Sequence, residues 1–297
     1  MNGLINVYKE KGLTSHDVIY QLRKILSIKR IGHSGTLDPE AEGVLVVGVS
    51  QGTKLMEYIG DNFKVYEGEL VLGYTSTTED IHGELKKAPY TAKIDKEKID
   101  NILGDLSGKV IAQKPPMYSS VKVNGRKLYQ YARAGIEVER SSRNIEILKI
   151  EAISDIYEKY GAKVIRFKAE VSKGTYIRTL CVHIGELLGA SGIMGDLLRT
   201  QVGSFKIKDS LKLQEIAIMA ANKDYSFLLP LIKGIEHVLN QIELKAEDYE
   251  KIKLGQKIAN TYDISEDQVF AATYQGSLTA ILIVKEGILR IVKNIVE

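Results

Sequence analysis

The spacing of apolar residues along the chain changes repeatedly, and each change predicts an element. Residues 3–9 read as a short strand. Val18, Ile19, Leu22, Ile25 and Leu26 then recur at helical spacing, which predicts a helix over 15–26, with Thr14 and Asp17 forming a capping box that uses Asp for Glu. Residues 31–43 hold Gly32, Gly35, Pro39 and Gly43 without any period and predict a loop. The unbroken aliphatic run 44–49 predicts a buried strand, 53–59 a short helix, and 64–72 a strand that carries Tyr66. Helices follow at 93–103 and at 127–134, the second stopped by Gly135, and alternating strands at 143–153 and 163–172. After Lys173-Gly174-Thr175 the pattern turns helical over 177–188, ending at Gly189.

Helices and strands mix without a strand-helix-strand repeat, so an α+β fold on a mixed sheet is expected rather than a doubly wound parallel one. The composition shifts near Asn240. A short helix at 246–254 precedes strands at 268–274, 277–285 and 288–293, with Gln275-Gly276 and Glu286-Gly287 as hairpin turns. That is a β-rich appendix, and it suggests domains at 1–235 and 240–297 in a chain of 297 residues.

Hydrophobic residues at 44% and charged residues at 27% are ordinary globular values. No apolar run reaches the roughly 18 residues of a membrane span, and the first twelve residues lack the apolar block of a secretory signal, so a cytoplasmic protein without a membrane partner is expected. Cys181 is the one cysteine and the five histidines are scattered, which gives neither a disulfide nor zinc-ligand spacing. A metal is therefore not expected. The net charge of +3 says little, but its distribution says more. Residues 113–143 hold seven bases and two acids, and 161–208 eight bases and three acids, whereas 75–105 carry seven acids and five bases. Tyr118, Tyr129 and Tyr131 interleave with the first basic segment, a combination that suits unstacked RNA bases and their phosphates.

Three places carry candidate chemistry. In Gly32-His33-Ser34-Gly35-Thr36-Leu37-Asp38-Pro39 the proline keeps Asp38 extended, so its carboxylate projects from a turn. By residue types alone the same stretch is also what a surface turn looks like. In Ser172 to Thr179, Arg178 enters at a strand-to-helix junction, where a cation opposes the helix dipole and calls for a compensating anion. Tyr66 is the third, on its strand.

These segments, with Lys9 to Val18, Lys64 to Tyr66, Lys114 to Gly135 and the run Gly174-Thr175-Tyr176-Ile177-Arg178-Thr179-Leu180, resemble the motifs of the TruB family, the bacterial tRNA pseudouridine-55 synthases. The resemblance spans essentially the whole chain. It implies a pseudouridine synthase fold with a thumb insertion at about 114–143 and a PUA-like RNA-binding domain at the C-terminus. The activity implied is isomerisation of uridine 55 in the T-loop of tRNA, without cofactor, metal or guide RNA, by a chain acting as a monomer. Asp38 then becomes the nucleophile, Arg178 its ion-pair partner, and Tyr66 the ring that stacks on the flipped base and moves a proton. His33 is implied to hold the rearranged T-loop, and Tyr176, Ile177 and Leu180 to line the base pocket. Lys122, Arg126, Lys127, Arg133, Arg140 and Arg143 are assigned to phosphates of the T-arm. One departure stands out: Glu10 follows Lys9 where the family has proline.

Two other readings stay open on the sequence: a non-catalytic RNA-binding or RNA-folding protein, and a synthase of this fold acting on another RNA. Asp38, Tyr66 and Arg178 together favour the enzyme, since a pure binder has no use for an acid in an anion-binding cleft.

Overall fold

The computed structural model describes residues 1–61 and 63–295; residue 62 and the last two positions of the expected 240–297 module lie outside the described residues. Two compact units form: Met1–Asn62 with Gln201–Glu297, and Phe63–Thr200.

The first unit begins with β1 (Gly3–Lys9), α1 (Ser15–Leu26), β2 (Ile31–His33) and β3 (Glu42–Val49), followed by a 3-10 turn over Ser50–Leu55 and α2 (Met56–Gly60). β3 pairs antiparallel with β1 on one side and β2 on the other. Side chains alternate across these strands. Ile5, Val7, Leu45, Val47 and Val49 meet the apolar stripe of α1, while Leu4, Val44 and Val46 face a second core. The expected loop over 31–43 therefore starts as a strand, because Ile31 is buried against α1 and opposite Val49. The expected short helix over 53–59 is split between the 3-10 turn and α2.

The second unit holds β4 (Lys64–Leu72), β5 (Tyr74–Ser76), β6 (Leu85–Lys87), α3 (Lys96–Leu106), β7 (Lys109–Gln113), β8 (Lys122–Val123), β9 (Arg126–Lys127) and α4 (Leu128–Arg133). It continues with β10 (Arg143–Ala152), β11 (Tyr157–Lys159), β12 (Ala162–Val171), α5 (Ile177–Leu188) and β13 (Gly192–Val202). Its sheet runs β13-β4-β12-β10-β7, with β11 paired to β12. α3 begins three residues later than its apolar pattern suggested, because Asp95 caps it by accepting from the Lys98 N–H at 3.0 Å. β13 went unread in the sequence. Its glycines lower strand propensity, yet Gly192 is required: a Cβ there would come within 2.6 Å of the Cys181 carbonyl oxygen of α5. On β11, Lys159 bridges Glu69 and Asp196 at 2.8 and 2.9 Å. Burial alone would raise the Glu69 carboxyl, but bonds from Lys159, Tyr157 and the Asp196 N–H hold it below its ordinary value.

The rest of the first unit comprises β14 (Phe205–Lys206), α6 (Leu213–Ala221), β15 (Gln241–Glu243), α7 (Ala246–Lys253), β16 (Ile258–Ala259), β17 (Val269–Tyr274), β18 (Ser277–Lys285) and β19 (Ile288–Asn294). The last five strands form a separate sheet in the order β15-β17-β18-β19-β16. It is apolar on both faces. Phe270, Ala272, Ala280, Leu282 and Val284 enclose a core with Ile252 of α7, whereas Ala271, Leu278 and Ile281 join Leu4, Val44 and Val46 of the N-terminal strands. A bulge between Ala272 and Thr273 lets β17 shift register at its end. Mixed sheets with helices and this C-terminal sheet make an α+β fold.

Candidate active site

The Asp38 loop in the first unit is held on both sides of its carboxylate. Before it, Leu37 is buried, and its N–H and carbonyl both bond the Ser15 hydroxyl, at 2.9 and 3.2 Å. After it, the Pro39 carbonyl accepts from the Gly12 N–H at 2.9 Å and from the Lys9 ammonium at 3.0 Å. The Lys9 side chain has no exposed surface and also donates to the carbonyls of Leu13, at 2.6 Å, and Glu10, at 3.1 Å. A turn from the Ala41 N–H to the Asp38 carbonyl, at 3.1 Å, closes the loop. Asp38 itself is half-buried. His33, at the end of β2, is half-buried in the same unit.

Neither anchor was singled out from the sequence, although a signal existed for each. Lys9 continues the inward parity of Ile5 and Val7 along β1, so its side chain had to enter the core. Ser15 lies on the stripe of Val18, Ile19 and Leu22 at i+3, i+4 and i+7, so its hydroxyl faced the interior too. Glu10, standing where the family has proline, pairs with Lys212 at 3.2 Å.

Tyr66, Tyr176, Ile177, Arg178, Leu180 and the six assigned bases belong to the second unit. Arg178 lies in the first turn of α5 and is 4% exposed. Its guanidinium donates to the Thr78 carbonyl at 3.0 Å and to the Tyr118 carbonyl at 2.9 Å, and the Asp80 carboxylate stands 4.0 Å away. Three segments thus converge on one cation: the β5–β6 connection, the insertion and α5. Two further links fix that helix start. Gln113, 5% exposed at the end of β7, accepts from the Tyr176 N–H at 2.8 Å and donates to its carbonyl at 3.1 Å. The Thr179 hydroxyl donates to Glu79 at 2.5 Å. Burial raises the Glu79 carboxyl above its ordinary value, opposed by the Thr179 bond and the charge of Arg178. Ile177 and Leu180 are buried on the same turn, and Tyr66 is 7% exposed on β4, opposite Ala169 of β12.

The basic insertion is a small hairpin of β8 and β9 leading into α4. Lys122, Arg126, Arg133 and Arg143 are exposed, and Lys127 is half-buried. Arg140, also half-buried, donates to the Pro115 carbonyl at 2.9 Å. Lys127 and Arg133 lie 5.7 and 5.4 Å from the Tyr129 ring centre, so this aromatic is sheathed by cations.

Solved structures share this α+β fold of mixed sheets. The structure titled "Crystal Structure of a Cbf5-Nop10-Gar1 Complex" matches with a TM-score of 0.77 at 24% identity, covering 99% of this chain and 84% of that one. An archaeal box H/ACA sRNP Nop10-Cbf5 complex matches with a TM-score of 0.72 at 21% identity, covering 99% and 86%. Residues 23–177 match the TruB family pseudouridylate synthase N-terminal domain, and 178–240 the tRNA pseudouridylate synthase B C-terminal domain. Proteins named tRNA pseudouridine synthase B from Streptococcus gordonii and Listeria welshimeri are each 46% identical, over 95% of this chain and 95% and 93% of their own. The chain belongs to the TruB family of pseudouridylate synthases.

Proposed function

We propose that this chain isomerises a uridine of tRNA to pseudouridine, at position 55 of the T-loop, with Asp38 as nucleophile. The observation that carries the reading is the loop that bears Asp38, fixed at Leu37 by Ser15 and at Pro39 by Lys9 and Gly12. A surface turn needs no buried lysine on its backbone; a carboxylate that must meet one atom of a flipped base does.

The glycosidic bond from C1′ to N1 breaks and one from C1′ to C5 forms; N1 gains a proton and C5 loses one, so no redox partner is required. Asp38 forms a transient covalent adduct that splits the exchange into two steps. Arg178 keeps the acid ionised in a pocket that would otherwise favour its neutral form, a task suited to a cation that stays charged when buried. Tyr66 stacks on the extruded base, returning part of the few kcal/mol lost on unstacking, and its hydroxyl serves the closing proton transfer. Tyr176, Ile177 and Leu180 enclose the pyrimidine, and His33 meets the T-loop. Lys122, Arg126, Lys127, Arg133, Arg140 and Arg143 lie along T-arm phosphates as positioning contacts. The 114–143 segment acts as the thumb and 240–297 as a PUA-like RNA-binding module, in a cytoplasmic monomer that uses neither cofactor nor guide RNA.

The experiment is incubation of the chain with unmodified tRNA transcript, followed by carbodiimide-stopped primer extension. A single stop at the T-loop uridine is expected. A stop elsewhere would assign another RNA site, and binding without any stop would make the chain an RNA-binding protein.

A further inference from the structure

The acids gathered over 75–105 have no part in the proposed reaction, yet two of them stand against the first turn of α5. Three consecutive residues of the β5–β6 connection meet that turn. The Thr78 carbonyl accepts from the Arg178 guanidinium at 3.0 Å, the Glu79 carboxylate accepts from the Thr179 hydroxyl at 2.5 Å, and the Asp80 carboxylate lies 4.0 Å from Arg178. The Glu79 bond differs from the other two contacts. It fastens the connection to the residue after Arg178 and so fixes the helix start from which the guanidinium extends.

A second observation concerns the backbone. Glu79 sits at φ 64°, a left-handed conformation that a glutamate rarely adopts, and its neighbours hold it there. Its N–H donates to the Ser76 carbonyl at 3.2 Å, and its carbonyl accepts from the Met194 N–H of β13 at 3.0 Å. The Met194 carbonyl in turn accepts from the Ile81 N–H at 3.0 Å. Asp80 closes the turn by accepting from the Thr78 hydroxyl at 2.6 Å and from the His82 N–H at 2.9 Å. Residue 79 is therefore clamped to β13 by its backbone and to α5 by its side chain, while the residue before it presents a carbonyl that Arg178 uses. An arginine fork recognises its partners by direction, so a helix start free to turn would lose the Thr78 and Tyr118 carbonyls together. An acid that merely offset the helix dipole would act without any bond to Thr179.

We propose that Glu79 is a positioning residue for Arg178: by holding Thr179 it fixes the first turn of α5 to the connection that bears Thr78, and so keeps the guanidinium in one orientation. The link from that orientation to rate rests on the reading of Arg178 as the partner of Asp38; the orientation itself does not. The test uses the full chain with isotopically labelled nitrogen in its arginine side chains, the Arg178 signals being identified by their loss in Arg178→Lys. Held by two carbonyls, the guanidinium should give separate, slowly exchanging terminal N–H signals. Thr179→Val removes the hydroxyl with little change of shape. It should merge those signals through rotation and lower the single-turnover rate of pseudouridine formation about ten-fold or more, with tRNA affinity kept within about two-fold. Glu79→Gly, which suits the left-handed backbone, should do the same. Thr179→Ser and Glu79→Gln keep a donor and an acceptor in place, so both should hold the signals separate and the rate within about three-fold of wild type. Separate signals with a wild-type rate in both Thr179→Val and Glu79→Gly overturn the proposal, as do merged signals with no change in rate. A wild-type chain that forms no pseudouridine refutes the reading of Asp38 instead, and the Arg178 signals then decide the positioning on their own.

Discussion

Replacing Ser15 by alanine removes one oxygen that both receives the Leu37 N–H, at 2.9 Å, and donates to the Leu37 carbonyl, at 3.2 Å. Ser15 is 2% exposed and Leu37 3%, so water does not take over either bond. Two stranded polar groups at about 1 to 2 kcal/mol each give a loss of about 2 to 4 kcal/mol. Thr14→Ala provides the comparison. Thr14 is exposed and caps the same helix by accepting from the Asp17 N–H at 3.0 Å, and losing that cap costs about 1 kcal/mol without touching Leu37. Urea unfolding gives the two stabilities, and single-turnover pseudouridine formation at 25 °C, where both variants remain folded, gives the rates. With Asp38 as the proposed nucleophile, Ser15→Ala should lower the rate constant about ten- to a hundred-fold, since a displaced carboxylate would lose its approach geometry, and Thr14→Ala should stay within about two-fold. A Ser15→Ala enzyme that is destabilised by about 2 to 4 kcal/mol yet turns over at the wild-type rate would mean that this hydroxyl does not position the Asp38 loop.

Three further outcomes follow from the second unit. Arg178→Lys keeps the charge but cannot reach the Thr78 and Tyr118 carbonyls as a planar fork does, so the rate should fall at least ten-fold with the circular dichroism spectrum unchanged; a wild-type rate would make Arg178 structural only. The Glu79 carboxyl is raised by burial, so its favourable contribution is complete below the unfolded value and fades as pH rises through the folded one; Glu79→Gln should gain stability relative to wild type as pH rises from below the ordinary carboxylate range to above it in urea melts, and a flat or reversed difference would contradict this. Neutralising exposed Arg126 with Gln should weaken tRNA binding and lower the salt slope by about one, whereas an unchanged slope would return that base to a merely solvated surface.

The elements most legible in the sequence were those whose period and ends agreed. α1 has its Thr14-Asp17 box and five-residue apolar stripe, and α5 ends at Gly189 with positive φ, 77°; both fall at the predicted bounds. β4 and β18 also kept their limits, β4 stopped by Gly73 and β18 set between the turn pairs Gln275-Gly276 and Glu286-Gly287. β13 was lost because Gly192 exists for a neighbour distant in sequence, the close crossing of α5, and propensity cannot see that demand. β2 was lost because three residues are too few to show a period. The sharing of one core by Ala271, Leu278 and Ile281 with Leu4, Val44 and Val46 is a long-range fact of the same kind. Asp38, Tyr66 and Arg178 stand out by residue type and motif as candidates, whereas the backbone anchors Ser15, Lys9 and Gln113 are visible only by parity, once the inward face of each element is known.

The central claim concerns a single carboxylate, and Asp38→Asn tests it with almost no change of shape. The measurement is tritium release from C5-labelled uridine in tRNA, alongside binding of the same tRNA. Retained binding with no release above background is the predicted result; release at the wild-type rate would remove Asp38 from the reaction.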